Sequence, residues 1–147
     1  MLIIFETDNF VVEAHERPEI SREEGGHIKI TPKKEYSDRT ELSPEVALEM
    51  MWLSVLCGEA MKLGLKKQGI ELGRINYQEN GNWKPHLHLH LYGRAKGASK
   101  QKFGDPLLPG HKPGYEALNE GDRKSIREEI GNLLLQEKFK KGNWRFR

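Results

Sequence analysis

Three histidines fall within five residues, at His86, His88 and His90, and alternate with Leu87, Leu89 and Leu91. On an extended strand alternate side chains share a face, so this spacing sends the imidazoles one way and the leucines the other. The leucines read as a core face, which leaves a row of imidazoles in a cleft or on a surface. Three uses are open to such a row. It can be a solvated face. Two of its members can ligate a zinc ion at ~2.1 Å with a further ligand such as His27 or His111. All three cannot easily share one ion, because a rise of ~3.3 Å per residue sets His86 and His90 ~13 Å apart at the backbone. The third use is chemistry on phosphate. A neutral imidazole is a good nucleophile near pH 7. A neighbour that accepts its other ring proton holds the tautomer, and flanking donors stabilise charge on phosphoryl oxygens. In that use His88 is the nucleophile by its central position.

Such a row needs a sheet to carry it. Leu2 to Glu6 and Phe10 to Ala14 are rich in β-branched and aromatic residues around the turn residues Thr7-Asp8-Asn9, which predicts a hairpin. A polar loop follows from Glu16 to Gly26. His27 to Thr31 alternates polar and apolar as a half-buried strand does. Ser43, Pro44 and Glu45 have the chemistry of a helix start. Val46, Met50, Leu53, Cys57, Ala60 and Met61 form one apolar face of that helix, and Gly69 is its stop. Glu71 to Tyr77 predicts a strand, Asn80-Gly81 a hairpin turn, and Pro85 to Tyr92 the returning strand with the histidines. Gly93 to Asn119 predicts a loop. A last helix starts near Asp122, shows Ile126, Ile130, Leu133 and Leu134, and ends at Gly142. The order β-β-β-α-β-β-α favours an antiparallel α+β domain.

The chain of 147 residues, 36% hydrophobic and 31% charged, has the size and composition of one ordinary water-soluble domain. No apolar run approaches the ~20 residues that cross a bilayer. The apolar start is too short for a signal peptide, and the single Cys57 excludes an internal disulfide. The expected location is the cytoplasm, with no membrane partner. A net charge of +2, from 24 basic and 22 acidic residues, does not announce a nucleic-acid binder. The end of the chain, Phe139 to Arg147, is basic and aromatic without an acid, and is the one feature that would suit nucleic acid.

The histidine row followed by Leu91-Tyr92 resembles the signature of the histidine triad (HIT) superfamily. Gly26-His27-Ile28-Lys29-Ile30-Thr31-Pro32-Lys33 is similar to that family's glycine-histidine strand ending in Pro-Lys. Ile75-Asn76 matches the asparagine ahead of its triad loop, and Phe5 to Val12 resembles its opening hairpin. The resemblance implies a five-stranded antiparallel sheet with two main helices. It implies a single HIT-like domain over 1–147, with a core of about residues 1–94 and a loop-rich segment and C-terminal helix over 95–147. Two subunits would pair as a homodimer with a ten-stranded sheet.

It also implies an activity. His88 would attack a nucleotide α-phosphate, forming a covalent nucleotidyl-histidine that water or another acceptor resolves, as in a nucleotidyl hydrolase or transferase. The substrate class would be a dinucleoside polyphosphate or a nucleoside phosphoramidate. His90 would contact the phosphate, His86 would support the hydrogen bonding, and Asn76 and His27 would sit in the same site. Gly81-Asn82-Trp83 stands where the family has a run such as Gly-Gln-Ser. Asn82 keeps an amide donor, while Trp83 does not supply a serine's hydroxyl. His15 or Glu16 occupies the place of the residue that grips the ribose, and Glu35 replaces the second histidine of the Pro-Lys strand. No cofactor and no protein-bound metal are expected, beyond a divalent metal carried on the substrate's phosphates. The alternative is a binding module on the same scaffold, sensing nucleotide or nucleic acid without turnover.

Overall fold

The computed structural model describes residues 1–146. Five strands form one antiparallel sheet: β1 (Leu2–Glu6), β2 (Phe10–Ala14), β3 (His27–Pro32), β4 (Leu72–Gln78) and β5 (Leu89–Ala95). Their spatial order is β1-β2-β3-β5-β4. Two helices complete the fold, α1 (Pro44–Lys67) and α2 (Glu120–Leu133). Among the described residues no helix is long and apolar enough to cross a membrane.

The opening hairpin is closed by its own turn chemistry. The Thr7 hydroxyl accepts the amides of Asn9 and Phe10 at 3.3 and 3.0 Å. Helix α1 begins where its cap allows, with the Ser43 hydroxyl accepting the Val46 amide at 3.3 Å. It covers one face of the sheet. Leu53, Leu56, Cys57, Met61 and Leu65 bury against Phe10, Val12, Ile28, Ile30, Leu89 and Leu91 in one core. Helix α2 packs on α1 and crosses at Gly64, where a Cβ would meet the Ile126 backbone nitrogen at 2.8 Å. It carries a reciprocal cap, Asn119 with Asp122, and Arg22 grips Asp122 at 2.6 and 2.8 Å.

The other face of the sheet carries the histidines. Register places His27, Lys29 and Thr31 of β3 beside His90 and Tyr92 of β5, with Asn76 and Gln78 of β4 beyond them. The loop that follows β5 folds back and is held by one carboxylate. Glu24, 4% exposed, accepts the amides of Ser99, Lys100 and Gln101 at 2.7, 2.9 and 2.6 Å. Burial pushes its carboxyl up, but those amides outweigh burial and hold it below the usual range.

Two elements differ from expectation. The histidine strand joins the ladder at Leu89 and runs on to Ala95, where Pro85 to Tyr92 was expected. Pro85 has no amide to donate, and the Leu87 amide bonds the Tyr36 carbonyl at 2.7 Å, outside the sheet. The Asn80-Gly81 turn accordingly sits within a loop over 79–88, with Gly81 at φ +64. The last helix stops at Leu133, where Gly142 was expected. Two short 3-10 turns follow, Glu137–Phe139 and Lys141–Asn143.

Candidate active site

The alternation survives beyond the ladder. Leu87, Leu89 and Leu91 are buried, and His86, His88 and His90 are half-buried on the opposite side. These three histidines line a cavity of about 510 Å³, which His15, Asn82 and Trp83 also border. Among the described residues no carboxylate lines it, and Lys29 and Lys84 do. Lys29 is paired with Glu13 at 3.0 Å.

Hydrogen bonds fix the proton positions of these rings. A carbonyl can only accept, so His88 Nδ1, 2.7 Å from the His86 carbonyl oxygen, carries its proton there. The lone pair of His88 is left on Nε2. Behind it, the Glu19 amide donates to His27 Nδ1 at 3.2 Å. His27 therefore holds its proton on Nε2 and donates it to His90 Nδ1 at 2.8 Å. His90 in turn keeps its proton on Nε2, as a donor. The His15 ring stacks on His27 with centroids 4.4 Å apart, and its Nδ1 accepts the Arg17 amide at 3.2 Å. The rings of His88 and His90 meet edge to face at 4.7 Å.

The rings of His15, His27 and His90 are neutral at pH 7. Burial, then His15, His90 and Lys29, push His27 down to about 2. Burial, then His88, His15 and Lys29, push His90 down to about 4. His15 is lowered as well, by burial and Lys29. A neutral imidazole with a fixed tautomer is a directional donor on one side and a nucleophile on the other. Two polar atoms at the cavity residues have no partner among the described residues, Thr31 Oγ1 and His86 Nε2. Buried polar groups of this kind are normally satisfied.

Not every expected residue comes to the cavity. Asn76 does not line it: its Oδ1 accepts Arg94 Nη1 at 2.8 Å in a separate cavity next along the sheet. His27 is 1% exposed and reaches the cavity through the rings of His90, to which it is hydrogen-bonded, and His15, on which it stacks. Glu16 pairs with the N-terminal amine, so His15 is the member of that pair at the cavity. Lys29 and Thr31 were not singled out from the sequence, although a period of two from His27 puts them on its face.

The histidines whose ring nitrogens gather within 4.8 Å are His15, His27 and His90. They are not the triad itself, and His111 lies elsewhere, on the Pro18 carbonyl at 2.8 Å. A metal at that cluster would have to displace the Nε2 proton that His27 now gives to His90.

The HIT domain profile matches residues 2–97. The chain belongs to the histidine triad family. Membership places it in a superfamily of nucleotide-binding hydrolases and transferases. Solved histidine triad structures share its fold. One is a hypothetical histidine triad nucleotide-binding protein from Sulfolobus tokodaii, with 22% identity and a TM-score of 0.64 over 99% of this chain and 91% of that one. A Hit-like protein involved in cell-cycle regulation from Bartonella henselae, solved with an unknown ligand, has 18% identity and a TM-score of 0.60 over 87% and 85%. A zinc-bound histidine triad protein from Mycobacterium smegmatis has 22% identity and a TM-score of 0.58 over 89% and 84%. No curated protein matches the chain.

Proposed function

We propose that this histidine triad protein is a nucleotidyl hydrolase or transferase whose nucleophile is His88. The observation that carries the proposal is the His88 Nδ1–H bond to the His86 carbonyl, which leaves Nε2 unprotonated on a cavity lined by cations and donors. Nε2 attacks the α-phosphorus. The N–P bond forms as the bond to the leaving group breaks, and the leaving group departs with the bonding pair and takes up a proton. The Nε2–H of His90 and the amide of Asn82, both at the cavity, would donate to the phosphoryl oxygens as charge builds on them. Water or a second acceptor then cleaves the N–P bond and restores the imidazole. The reading covers dinucleoside polyphosphates and nucleoside phosphoramidates. It needs no resident cofactor from the chain, and a divalent ion would enter only on the substrate's phosphates. A homodimer belongs to the same proposal. The sheet's edge strands are β1 and β4, so a ten-stranded sheet would form through one of them.

The test is a nucleotide panel assayed with wild type and His88→Asn side by side. The side-chain hydrogen bond of His88 is made to a backbone carbonyl alone, so the variant should fold with an unchanged melting temperature. Its turnover should fall by about 10³-fold or more. An α-labelled nucleotide should leave acid-labile label on the wild type only. Wild-type turnover retained in His88→Asn would overturn the mechanism. Tight binding without product, in wild type as in the variant, would replace catalysis by sensing.

A further inference from the structure

A second cavity of about 440 Å³ opens on the same face of the sheet, lined by Arg74, Asn76, Arg94 and the loop residues Phe103 to Pro106. Arg94 lies four residues beyond His90 on β5, ~13 Å along the strand. Tyr92, 1% exposed, stands between the two cavities.

The charge arrangement here is unusual. Arg74 on β4 and Arg94 on β5 are direct cross-strand partners, and like charges directly opposite one another destabilise a sheet. Neither takes part in any ion pair among the described residues. Arg94 is only 4% exposed. Its guanidinium is met by neutral groups alone: the Asn76 amide oxygen at 2.8 Å and the carbonyls of Lys102 and Asp105 at 2.9 and 2.8 Å. Its Nε has no partner. A buried cation without a counter-charge is costly, and a second guanidinium across the strand adds to that cost. Among the described residues Asp105 is the one carboxylate lining the cavity, which leaves an excess of positive charge beside an amide and the partly exposed ring of Phe103.

We propose that this cavity is a second anion site, built for a phosphate group held between Arg74 and Arg94. Arg74 presents an exposed donor fork and Arg94 an Nε–H without a partner among the described residues, donors that suit phosphate oxygens. An anion there removes the cross-strand repulsion and supplies the counter-charge that Arg94 lacks. The site stands on geometry separate from the histidine row and does not depend on the chemistry at His88.

The experiment titrates the full chain with inorganic phosphate and follows arginine side-chain and backbone amide signals by NMR. The expected result is a saturable shift of the Arg94 Nε–H and of the Gly104 and Asp105 amides. Arg74→Gln should weaken that binding at least fivefold, because Arg74 is exposed and its loss leaves the fold intact. Arg74→Lys should restore part of it, and His88→Asn should leave it unchanged. Shifts confined to the histidine cavity, or an Arg74→Gln titration equal to wild type, would overturn the site. Kinetics then identify where the phosphate comes from. A raised KM in Arg74→Gln for polyphosphate-bridged or oligonucleotide substrates, but not for short ones, assigns the anion to the substrate's own distal phosphate. Unchanged KM values with phosphate binding lost assign the site to a free anion.

Discussion

At the scale of single residues the row His86, His88, His90 was legible from spacing alone, because a period of two is a property of any extended chain. What spacing could not show is which nitrogen of each ring carries the proton. That depends on which backbone groups the folded chain brings to each ring nitrogen, the Glu19 amide at His27 and the His86 carbonyl at His88. Asn76 is the reverse case. Its place ahead of the triad suggested the phosphate site, yet its oxygen is taken by Arg94, a pairing across strands that no local motif encodes. The neutral histidines have a consequence for stability. The folded chain pushes His27 from 6.5 to about 2 and His90 from 6.5 to about 4. Below pH 6.5 the unfolded chain therefore binds more protons than the folded one, and stability falls as pH falls. His90's contribution is complete near pH 4, while that of His27 continues below it. The slope from the fully buried His27 approaches ~1.4 kcal/mol per pH unit. Urea unfolding at pH 7.5, 6 and 5 should show this decline, and His27→Gln should flatten it. An acid dependence unchanged in that variant would show that other groups cause it.

At the scale of elements, strands one to four and the start of α1 follow from alternation, turn residues and a serine cap, all local signals. The ends of β5 and α2 do not. The ladder cannot begin until β3 supplies a partner, and Ile30 pairs with Leu89 near the end of β3. Helix α2 ends at Leu133 because the chain turns there to bring Phe139 against Trp52, whose Nε1 donates to the Phe139 carbonyl at 2.9 Å. The contact that joins the loop after β2 to the strand of the site is a meeting of two glycines. A Cβ on Gly93 would lie 2.0 Å from the Gly25 carbonyl oxygen, and the Gly93 amide bonds the Gly26 carbonyl at 2.9 Å. Gly93→Ala must push the backbone of 25–26 away, and His27 with it. We expect a loss on the order of 3 kcal/mol, measured by thermal melting, with the histidine NMR signals displaced even where the variant remains folded. A variant as stable as wild type would show that the strands meet less closely than described.

At the scale of the whole molecule, the C-terminal segment is a brace for α1 before it is anything else. Its basic and aromatic composition suggested nucleic acid, but most of those side chains are engaged. Phe139 is 1% exposed, Trp144 Nε1 donates to the Lys138 carbonyl at 2.7 Å, and Lys141 Nζ sits 4.9 Å from the Trp52 ring centre. Phe146 remains exposed, and Arg147 lies outside the described residues. Composition could not distinguish a docked tail from a free one, because the docking partner is a helix some ninety positions earlier. Phe139→Ala should cost about 3–5 kcal/mol, read as a lower melting temperature, while the turnover of the folded fraction stays near wild type. A large loss of turnover with stability intact would instead tie the tail to the site.

The single bond from the Leu87 amide to the Tyr36 carbonyl gives the cavity two walls of unequal stiffness. His27 and His90 sit in the ladder, where neighbouring strands resist displacement. His86 and His88 precede the ladder on a segment held by that bond and by the buried Leu87 side chain, and segments outside a ladder open locally more readily than the sheet itself. On the proposed mechanism the attacking ring of His88 would therefore be mounted on the more compliant wall and the donor ring of His90 on the rigid one. On that mechanism a phosphate would settle against a fixed template while the nucleophile approached it from the side that yields.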